Sequence, residues 1–349
     1  MKKTLLTIFS ILSLAIGTIS AQTAITQTAI TQTGITQTGI TQNTDEFKPS
    51  GKPEVLIFTN FNNTTVNSKS LNKFEITRAY FGYGYNFSKT LSGRIMLDVG
   101  NPGVGSLAYT AYVKYGYMQY QDKSLTVKFG LIGTNGYDVQ EKFWGNRYIF
   151  KSFQDQYGMG PSADFGLSAA YKFNDVISAD AIVQNGDGYK SLENDSVLKA
   201  GVGVTIHPVK NLTLRGYYDN MKKRSATQQT TAFMAGYGNK TFNIAAEYNY
   251  QADNKLKSGQ DFYGYSVYGT LFFNSKTSIL AMYDNLTSKD ITTNTNSWNF
   301  AKDGKQYLVG FQYAPVKGLR ISPNYQLWTP RDGTKSNTSS FFLNVEIKI

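Results

Sequence analysis

From Pro53 onward, apolar and polar residues alternate along the chain with a period of two. Successive residues of a β-strand face opposite sides of the sheet, so each alternating segment has one apolar and one polar face. The pattern predicts sixteen strands, and a phase shift within the second strand is typical of a β-bulge. The predicted strands are 53–62, 72–87, 91–99, 107–121, 125–132, 163–173, 176–186, 196–206, 212–219, 229–238, 241–250, 261–273, 277–286, 305–313, 319–328 and 339–349.

The predicted connections alternate between short and long. Each even-numbered strand is followed by a turn of two to five residues, such as 88–89 or 314–318. Connections after odd-numbered strands are longer, and the third of them spans 133–162. Outer-membrane barrels have this asymmetry, with tight periplasmic turns and longer outer loops. An even number of strands places both ends of the barrel on the periplasmic side.

A membrane explains how the apolar faces are covered. In a bilayer the apolar face of a barrel contacts lipid, and closure satisfies every backbone hydrogen-bonding group. Sixteen to eighteen strands enclose an aqueous channel. Aromatic residues near predicted strand ends fit the girdles of such barrels: Tyr115, Tyr117, Phe173, Tyr248, Tyr250 and Phe273. We therefore predict an all-β fold, a 16-stranded antiparallel transmembrane β-barrel over residues 53–349.

The N-terminal residues 1–21 have the features of a secretory signal peptide. Lys2 and Lys3 precede an apolar run, and the small residue Ala21 stands at the expected cleavage site. A membrane anchor is the alternative, but the apolar run is shorter than a spanning helix requires. Residues 22–52 begin with a Thr/Gln/Ile-rich five-residue repeat, which predicts a low-complexity linker or, alternatively, a motif for a periplasmic partner. The chain has no Cys, so a disulfide framework is excluded.

The polar faces of the predicted strands would line the lumen. Their charged positions include Arg78, Arg94, Asp98, Lys114, Lys128, Lys172, Lys199, Arg215, Glu247 and Arg320. The formal charge of the chain is +11, and basic residues outnumber acidic ones on this face. This bias predicts a mild preference for anions. The alternative is that the charges pair across strands and only keep the lumen hydrated.

The third long connection carries the candidate constriction. Its aromatic side chains are too apolar to remain solvated, so we expect this loop to fold inward against the barrel wall. A helical turn would place Arg147 and Lys151 on one face, opposite Lys114 and Lys128. The candidate constriction residues are Glu141, Lys142, Arg147, Lys151 and Asp155. A loop folded over the rim, or one that latches a neighbouring subunit, is the alternative.

Other chemistry is sparse in this sequence. The single histidine, His207, lies in a predicted periplasmic turn, so an outer-membrane hydrolase that depends on a histidine base is disfavoured. No nucleotide-binding glycine loop and no cluster of metal ligands is visible, so no cofactor and no enzymatic activity are predicted. The remaining functions are a passive diffusion channel for small hydrophilic solutes and a structural or surface-interaction barrel without an open channel.

Three segments resemble the phosphate-selective porin (O and P type) superfamily. They are residues 74–87 (FEITRAYFGYGYNF), 111–115 (AYVKY) and 183–189 (VQNGDGY). The resemblance extends over most of residues 53–349. It implies an outer-membrane porin of a Gram-negative bacterium, usually a homotrimer, with sixteen strands and a third loop folded into the lumen. The implied partners are outer-membrane lipid and lipopolysaccharide together with small hydrophilic or anionic solutes, and no nucleic acid.

Overall fold

The computed structural model describes residues 47–100, 107–289 and 297–349. In this part of the chain, sixteen strands form one closed barrel, in which every strand pairs antiparallel with its sequence neighbours and β1 pairs with β16. The predicted fold is confirmed. The strands are β1 (Ser50–Val66), β2 (Lys69–Asn86), β3 (Leu91–Gly100), β4 (Thr110–Asp122), β5 (Leu125–Gly133), β6 (Ala163–Lys172), β7 (Ile177–Gln184), β8 (Lys199–Ile206), β9 (Leu212–Lys223), β10 (Ala226–Gly238), β11 (Phe242–Ala252), β12 (Phe262–Phe272), β13 (Thr277–Ser288), β14 (Gly304–Tyr313), β15 (Leu319–Pro330) and β16 (Thr338–Lys348).

The first strand begins at Ser50, three residues before its predicted start at Pro53. The predicted signal peptide and most of the predicted linker lie outside the described residues. Within the described ranges, no helix has the length and apolar character needed to cross a membrane.

The two faces of the barrel have opposite chemistry. Outward-facing apolar side chains are exposed, as at Phe129, Phe233 and Val309, whose exposed fractions are 69%, 58% and 58%. Inward-facing positions carry buried polar groups, such as Asn249 of β11 and Ser266 of β12. A soluble protein would place these residue types the other way round. The apolar outer face is therefore the surface that the alternating pattern assigns to lipid.

Two β-bulges change which side chains face inward. Phe58 pairs with Arg78 while the next residue, Thr59, pairs with Ile76, which places the bulge in β2 that the phase shift predicts. A second bulge in β4 leaves Lys114 unpaired, because Met96 pairs with Tyr115 and Leu97 pairs with Val113.

The β4 bulge corrects two girdle assignments. Beyond the extra residue Lys114, the alternation is reversed, and the rings of Tyr115 and Tyr117 lie beside lumen cations instead of lipid. Phe173 does belong to a ring cluster on the outside of the barrel, since its ring centroid lies 5.0 Å from that of Tyr171 near the short-turn rim.

Two outer connections are tighter than the sequence predicts. All links after even-numbered strands are two to five residues long, as expected, but β1–β2 and β9–β10 are also joined by only two residues. Asn67 and Ser68 both have positive φ, 50° and 61°, as a two-residue hairpin turn requires. These strands continue beyond the alternating pattern through polar residues, and the Asn63 side chain donates to Asn72 at 2.6 Å. These strand ends lie beyond the lipid and need no apolar face. The alternating pattern therefore identifies only the membrane-spanning part of each strand and not its ends.

Candidate functional site

The connection between β5 and β6, residues 134–162 and hereafter L3, folds into the barrel as predicted. The Thr134 hydroxyl donates to the Pro161 carbonyl at 2.7 Å and closes the base of the loop. Two short helices follow, α1 (Asp138–Trp144) and α2 (Phe153–Tyr157). They end at Gly145 and Gly158, whose φ angles of 68° and 71° favour glycine.

A patch of apolar residues on the inner wall, hereafter the docking pad, holds L3 in place. It consists of Met234, Ala245, Tyr268, Leu280, Met282 and Leu308, on strands β10 to β14. Trp144 of L3 is 1% exposed on this pad, and its ring centroid lies 5.3 Å from that of Tyr268. The close approach of Phe153 to the wall requires a glycine, because a Cβ at Gly264 would overlap the Phe153 ring.

The docking pad cannot be found from the charged positions of the lumen-facing side, because all of its residues are uncharged. A signal was present in β13, where Leu280 and Met282 occupy lumen-facing positions and interrupt the polar face. Apolar residues on both faces of one membrane strand indicate that something apolar packs inside. Leu308 of β14 gives the same signal.

Polar side chains of the last two strands bind backbone carbonyls of L3. Arg320 donates to the carbonyl of Gly145 at 2.9 Å, and Asn344 donates to the carbonyl of Tyr148 at 3.0 Å. The Tyr148 hydroxyl in turn donates to Gln312 of β14 at 2.9 Å. L3 is therefore attached to the β10–β16 side of the barrel.

The opposite side of the lumen contains a cavity of about 410 Å³. Its wall is formed by β1 to β4 and the end of β16, with Glu54, Tyr80, Arg94, Met96, Lys114 and Tyr115 among the lining residues. L3 contributes Glu141 and Arg147 to the same cavity. The structure thus brings predicted residues of the wall and of L3 together around one narrow space.

The charges of L3 are arranged as a compact network. Arg147 lies between Glu141 and Asp155, with nitrogen–oxygen distances of 2.9 and 2.7 Å. Lys151 also approaches Asp155, at 3.5 Å. Burial alone would raise the pKa of Asp155, but the charges of Arg147 and Lys151 outweigh burial and hold this pKa below its usual value. These basic residues are therefore largely compensated within the loop.

The helical turn proposed for Arg147 and Lys151 is wrong. Both residues lie in the link between α1 and α2, because Gly145 ends the first helix before Arg147. The fifth candidate of the loop, Lys142, is 74% exposed and pairs with Asp138 at 2.6 Å within α1.

Most basic residues of the wall are also paired with acids. The pairs are Arg78–Asp98 at 3.4 Å, Arg94–Glu54, Lys199–Asp219 at 2.9 Å, Arg215–Asp180 and Arg320–Glu346 at 2.6 Å. Lys172 is exposed at the short-turn rim and pairs with Asp175 at 2.6 Å. Glu247 lies behind L3, buried on the wall at β11. Cross-strand pairing, which the sequence left open as an alternative, thus describes most of these charges.

Lys114 and Lys128 are different from the other predicted lumen cations. Among the described residues, neither lysine has an acidic group within 4.0 Å. Lys114 is only 5% exposed, and its Nζ lies 4.7 Å from the ring centroid of Tyr80. Lys128 lies 5.7 Å from the ring centroid of Tyr117. Within the described part of the chain, no protein acid therefore neutralises either amine directly.

The fourth outer connection, between β7 and β8, adds residues that the sequence pattern does not indicate. The Tyr189 hydroxyl donates to Asp98 at 2.5 Å, which brings this ring to 5.8 Å from the Lys114 Nζ. Lys190 lies 4.6 Å from the ring centroid of Tyr112. No charge periodicity marks these residues, because they belong to a loop that folds back towards the wall.

Chemistry outside this cavity is limited. His207 is exposed in the β8–β9 turn, with its Nδ1 3.2 Å from the Thr213 hydroxyl. Within the described part of the chain, no group of three or more His, Cys, Asp and Glu side chains is placed to hold a metal ion.

The fold is that of the outer-membrane porins. It is similar to the outer-membrane channel DcaP of Acinetobacter baumannii, with a TM-score of 0.65, 15% identity and coverage of 86% of this chain and 97% of that chain. It is also similar to OmpF of Salmonella typhi, solved in complex with daunomycin, with a TM-score of 0.66, 13% identity and coverage of 85% and 97%. OprB of Pseudomonas putida gives a TM-score of 0.65, 10% identity and coverage of 86% and 94%. No family model and no curated protein matches the sequence.

Proposed function

We propose that this protein is a porin, a passive diffusion channel for small hydrophilic solutes with a mild preference for anions. The closed barrel with its apolar outer face belongs in the outer membrane of a Gram-negative bacterium. L3 narrows the lumen without dividing it evenly, because it packs on β10–β16 and leaves a cavity on the β1–β4 side. A solute would pass between Arg147 of L3 and the wall that carries Lys114.

The observation that carries the anion preference is the unpaired charge of Lys114 and Lys128. Arg147 and Lys151 share acids within L3, so they add less positive potential to the passage than two unpaired cations would. A cation with no acidic partner raises the local concentration of anions in a narrow passage with low-dielectric walls. The resemblance to phosphate-selective porins is compatible with this preference, although most basic residues of the lumen wall are paired with acids here.

The proposed assembly is a homotrimer in a bilayer of outer-membrane lipid and lipopolysaccharide. Support comes from the fold, since OmpT of Vibrio cholerae, which has 13% identity and a TM-score of 0.57, has been solved in a trimer form. The proposed solutes are small hydrophilic or anionic molecules, and the protein acts as a channel without catalysing a reaction.

Planar-bilayer recording of the purified wild-type protein tests this proposal. We expect a stable ohmic conductance and a reversal potential that indicates a preference for anions. This preference should become smaller at high salt, because salt screens the charges of the wall. Deleting 141–155 should raise the conductance, because it removes most of the material packed across the lumen. Silence of both proteins would favour a structural or surface-interaction barrel, whereas clear cation selectivity would contradict the anion preference alone.

A further inference from the structure

Glu247, Ser266 and Asp284 form one row across three neighbouring strands on the lumen face. Glu247 of β11 pairs in register with Ser266 of β12, and Ser266 pairs with Asp284 of β13. Cβ atoms of directly opposed residues lie about 4.5–5.5 Å apart. The two carboxylates therefore flank one serine hydroxyl, and the three residues are 3%, 0% and 0% exposed. We call these residues the oxygen row.

The two carboxylates of the oxygen row lack a cationic partner. Among the described residues, no Lys, Arg or His nitrogen lies within 4.0 Å of either one. Asp219 of the wall is buried to a similar extent but is paired with Lys199, and the buried Asp164 accepts backbone N–H bonds on both of its oxygen atoms. An ionised carboxylate that is buried without compensation is strongly unfavourable, so this exception needs an explanation.

One oxygen of each carboxylate is already bonded. Asn249 donates to Oε2 of Glu247 at 3.3 Å, and the Tyr157 hydroxyl donates to Oδ2 of Asp284 at 3.1 Å. The remaining atoms, Oε1 of Glu247 and Oδ1 of Asp284, have no hydrogen-bond partner among the described residues. The Ser266 hydroxyl lies beside Asp284 but also lacks a hydrogen bond of ordinary geometry. Three unsatisfied oxygen atoms therefore belong to neighbouring residues of one buried row.

We propose that the oxygen row binds one divalent cation of the calcium type. Hard divalent cations prefer carboxylate and other oxygen ligands. One such ion would neutralise the carboxylates of Glu247 and Asp284 together, and all three unsatisfied oxygen atoms would coordinate it. The site has only two acidic ligands, which is why the sequence shows no cluster of metal ligands and predicts no metal.

The site lies directly beneath α2 of L3. The Tyr157 hydroxyl donates to Asp284, and the backbone N–H of Phe153 lies close to Glu247. An ion that holds the two carboxylates in place would therefore also hold the helix that is bonded to them. The cation would fix L3 on the wall and so keep the width of the passage constant.

Calorimetric titration of the purified full-length protein with Ca²⁺, after removal of metals by a chelator, tests the site. We expect one ion per chain for the wild type and a rise of about 5 °C in Tm at saturation. Replacing both acids, Glu247→Gln with Asp284→Asn, should abolish both effects. Glu54→Gln is the matched control, because it removes a lumen acid that is paired with Arg94 elsewhere on the wall, and it should bind Ca²⁺ as the wild type does.

Several results would overturn the site. The first is no Ca²⁺ binding by the wild type, and the second is unchanged binding by the double variant. The third is a metal-free protein whose stability falls as pH rises and ignores Ca²⁺, which would identify a proton-sharing pair of acids instead. If the double variant does not fold, the Ser266→Ala variant tests the site instead. We expect its affinity for Ca²⁺ to fall at least tenfold, and an unchanged affinity would overturn the site. Current fluctuations in bilayer recordings should increase with a chelator and decrease with Ca²⁺, and a chelator without effect would refute the link to L3.

Discussion

Replacing Lys114 with glutamine is the most direct probe of how this channel selects its solutes. Lys114 is the bulged residue of β4, and its amine is enclosed by the rings of Tyr80, Tyr115 and Tyr189. The glutamine removes the charge while keeping a polar group of moderate length. Among the described residues, no acid within 4.0 Å loses a partner, so the change tests what the amine of Lys114 alone contributes to ion selectivity.

The expected magnitude follows from Coulomb's law. An anion passing about 5 Å from a unit charge gains about 0.8 kcal/mol in a water-like dielectric and about 3 kcal/mol at an effective dielectric constant of about 20. The smaller figure corresponds to an approximately fourfold change in local concentration. We therefore expect Lys114→Gln to lower the anion-to-cation permeability ratio by at least about fourfold at low salt. At about 1 M salt the Debye length is about 3 Å, so the effect should nearly vanish.

Reversal potentials in a salt gradient across a planar bilayer measure this ratio. Lys172→Gln is the matched control, because this lysine lies exposed at the rim and pairs with Asp175, so its loss should leave the ratio unchanged. Lys128→Gln, the other unpaired lysine, should act in the same direction as Lys114→Gln.

If the Lys114→Gln variant keeps the wild-type anion-to-cation permeability ratio, Lys114 does not set the selectivity of the channel. This result would be most decisive if Arg147→Gln did change the permeability ratio in the same experiment. That substitution leaves the carboxylates of Glu141 and Asp155 without their partner. Selectivity would then be set by L3, as the sequence first suggested, and not by the wall.

Three further predictions concern L3 and the topology. Trp144→Ala should increase conductance and current noise in single-channel recordings, because truncating a buried tryptophan costs about 3–5 kcal/mol; unchanged traces would show that the docking pad does not hold L3. In a chain without cysteine, Gly333→Cys should be labelled on intact cells and Lys240→Cys should not, and the reverse pattern would invert the topology. The lowered pKa of Asp155 means that its ion pair with Arg147 stabilises L3 above the usual carboxylate pKa and is lost as pH falls through the lowered value. The part of the conductance that is lost in an Arg147→Gln variant should therefore stay constant down to a pH of about 4 and change only below it, so a change of that part near pH 6 would contradict this.

The sequence was most informative where the membrane constrains it. Alternation along β5, β9 and β16 follows from the need for one lipid-facing side, so all sixteen strands could be predicted. The strand ends at Val66 and Lys223 extend beyond the lipid band, where polar residues suffice and the pattern is lost. The inward fold of L3 could be predicted because its aromatic residues need a surface to pack against.

The details of the constriction could not be predicted from residue type and parity. Whether a lysine is free depends on which acid a neighbouring strand presents, as Lys199 and Asp219 show when compared with Lys114. A single bulge in β4 moves Tyr115 into the lumen and cannot be located from alternation alone. The helices of L3 end at glycines whose positions are visible in the sequence, but the ion pairs of Arg147 depend on the path of the chain between them.

The attachment of L3 to the end of the chain has a consequence for the order of folding. Asn344, in the last strand, binds Tyr148 across a separation of 196 residues, and Arg320 binds Gly145 across 175. Contacts this distant in sequence form late, because the entropy of closing the intervening chain must be lost first. L3 is synthesised early but its carbonyls remain without these partners until β15 and β16 are in place. Formation of the passage is therefore coupled to the final closure of the barrel. A chain truncated before β15 would lack both the pairing of β1 with β16 and the hydrogen bonds that attach L3 to the wall.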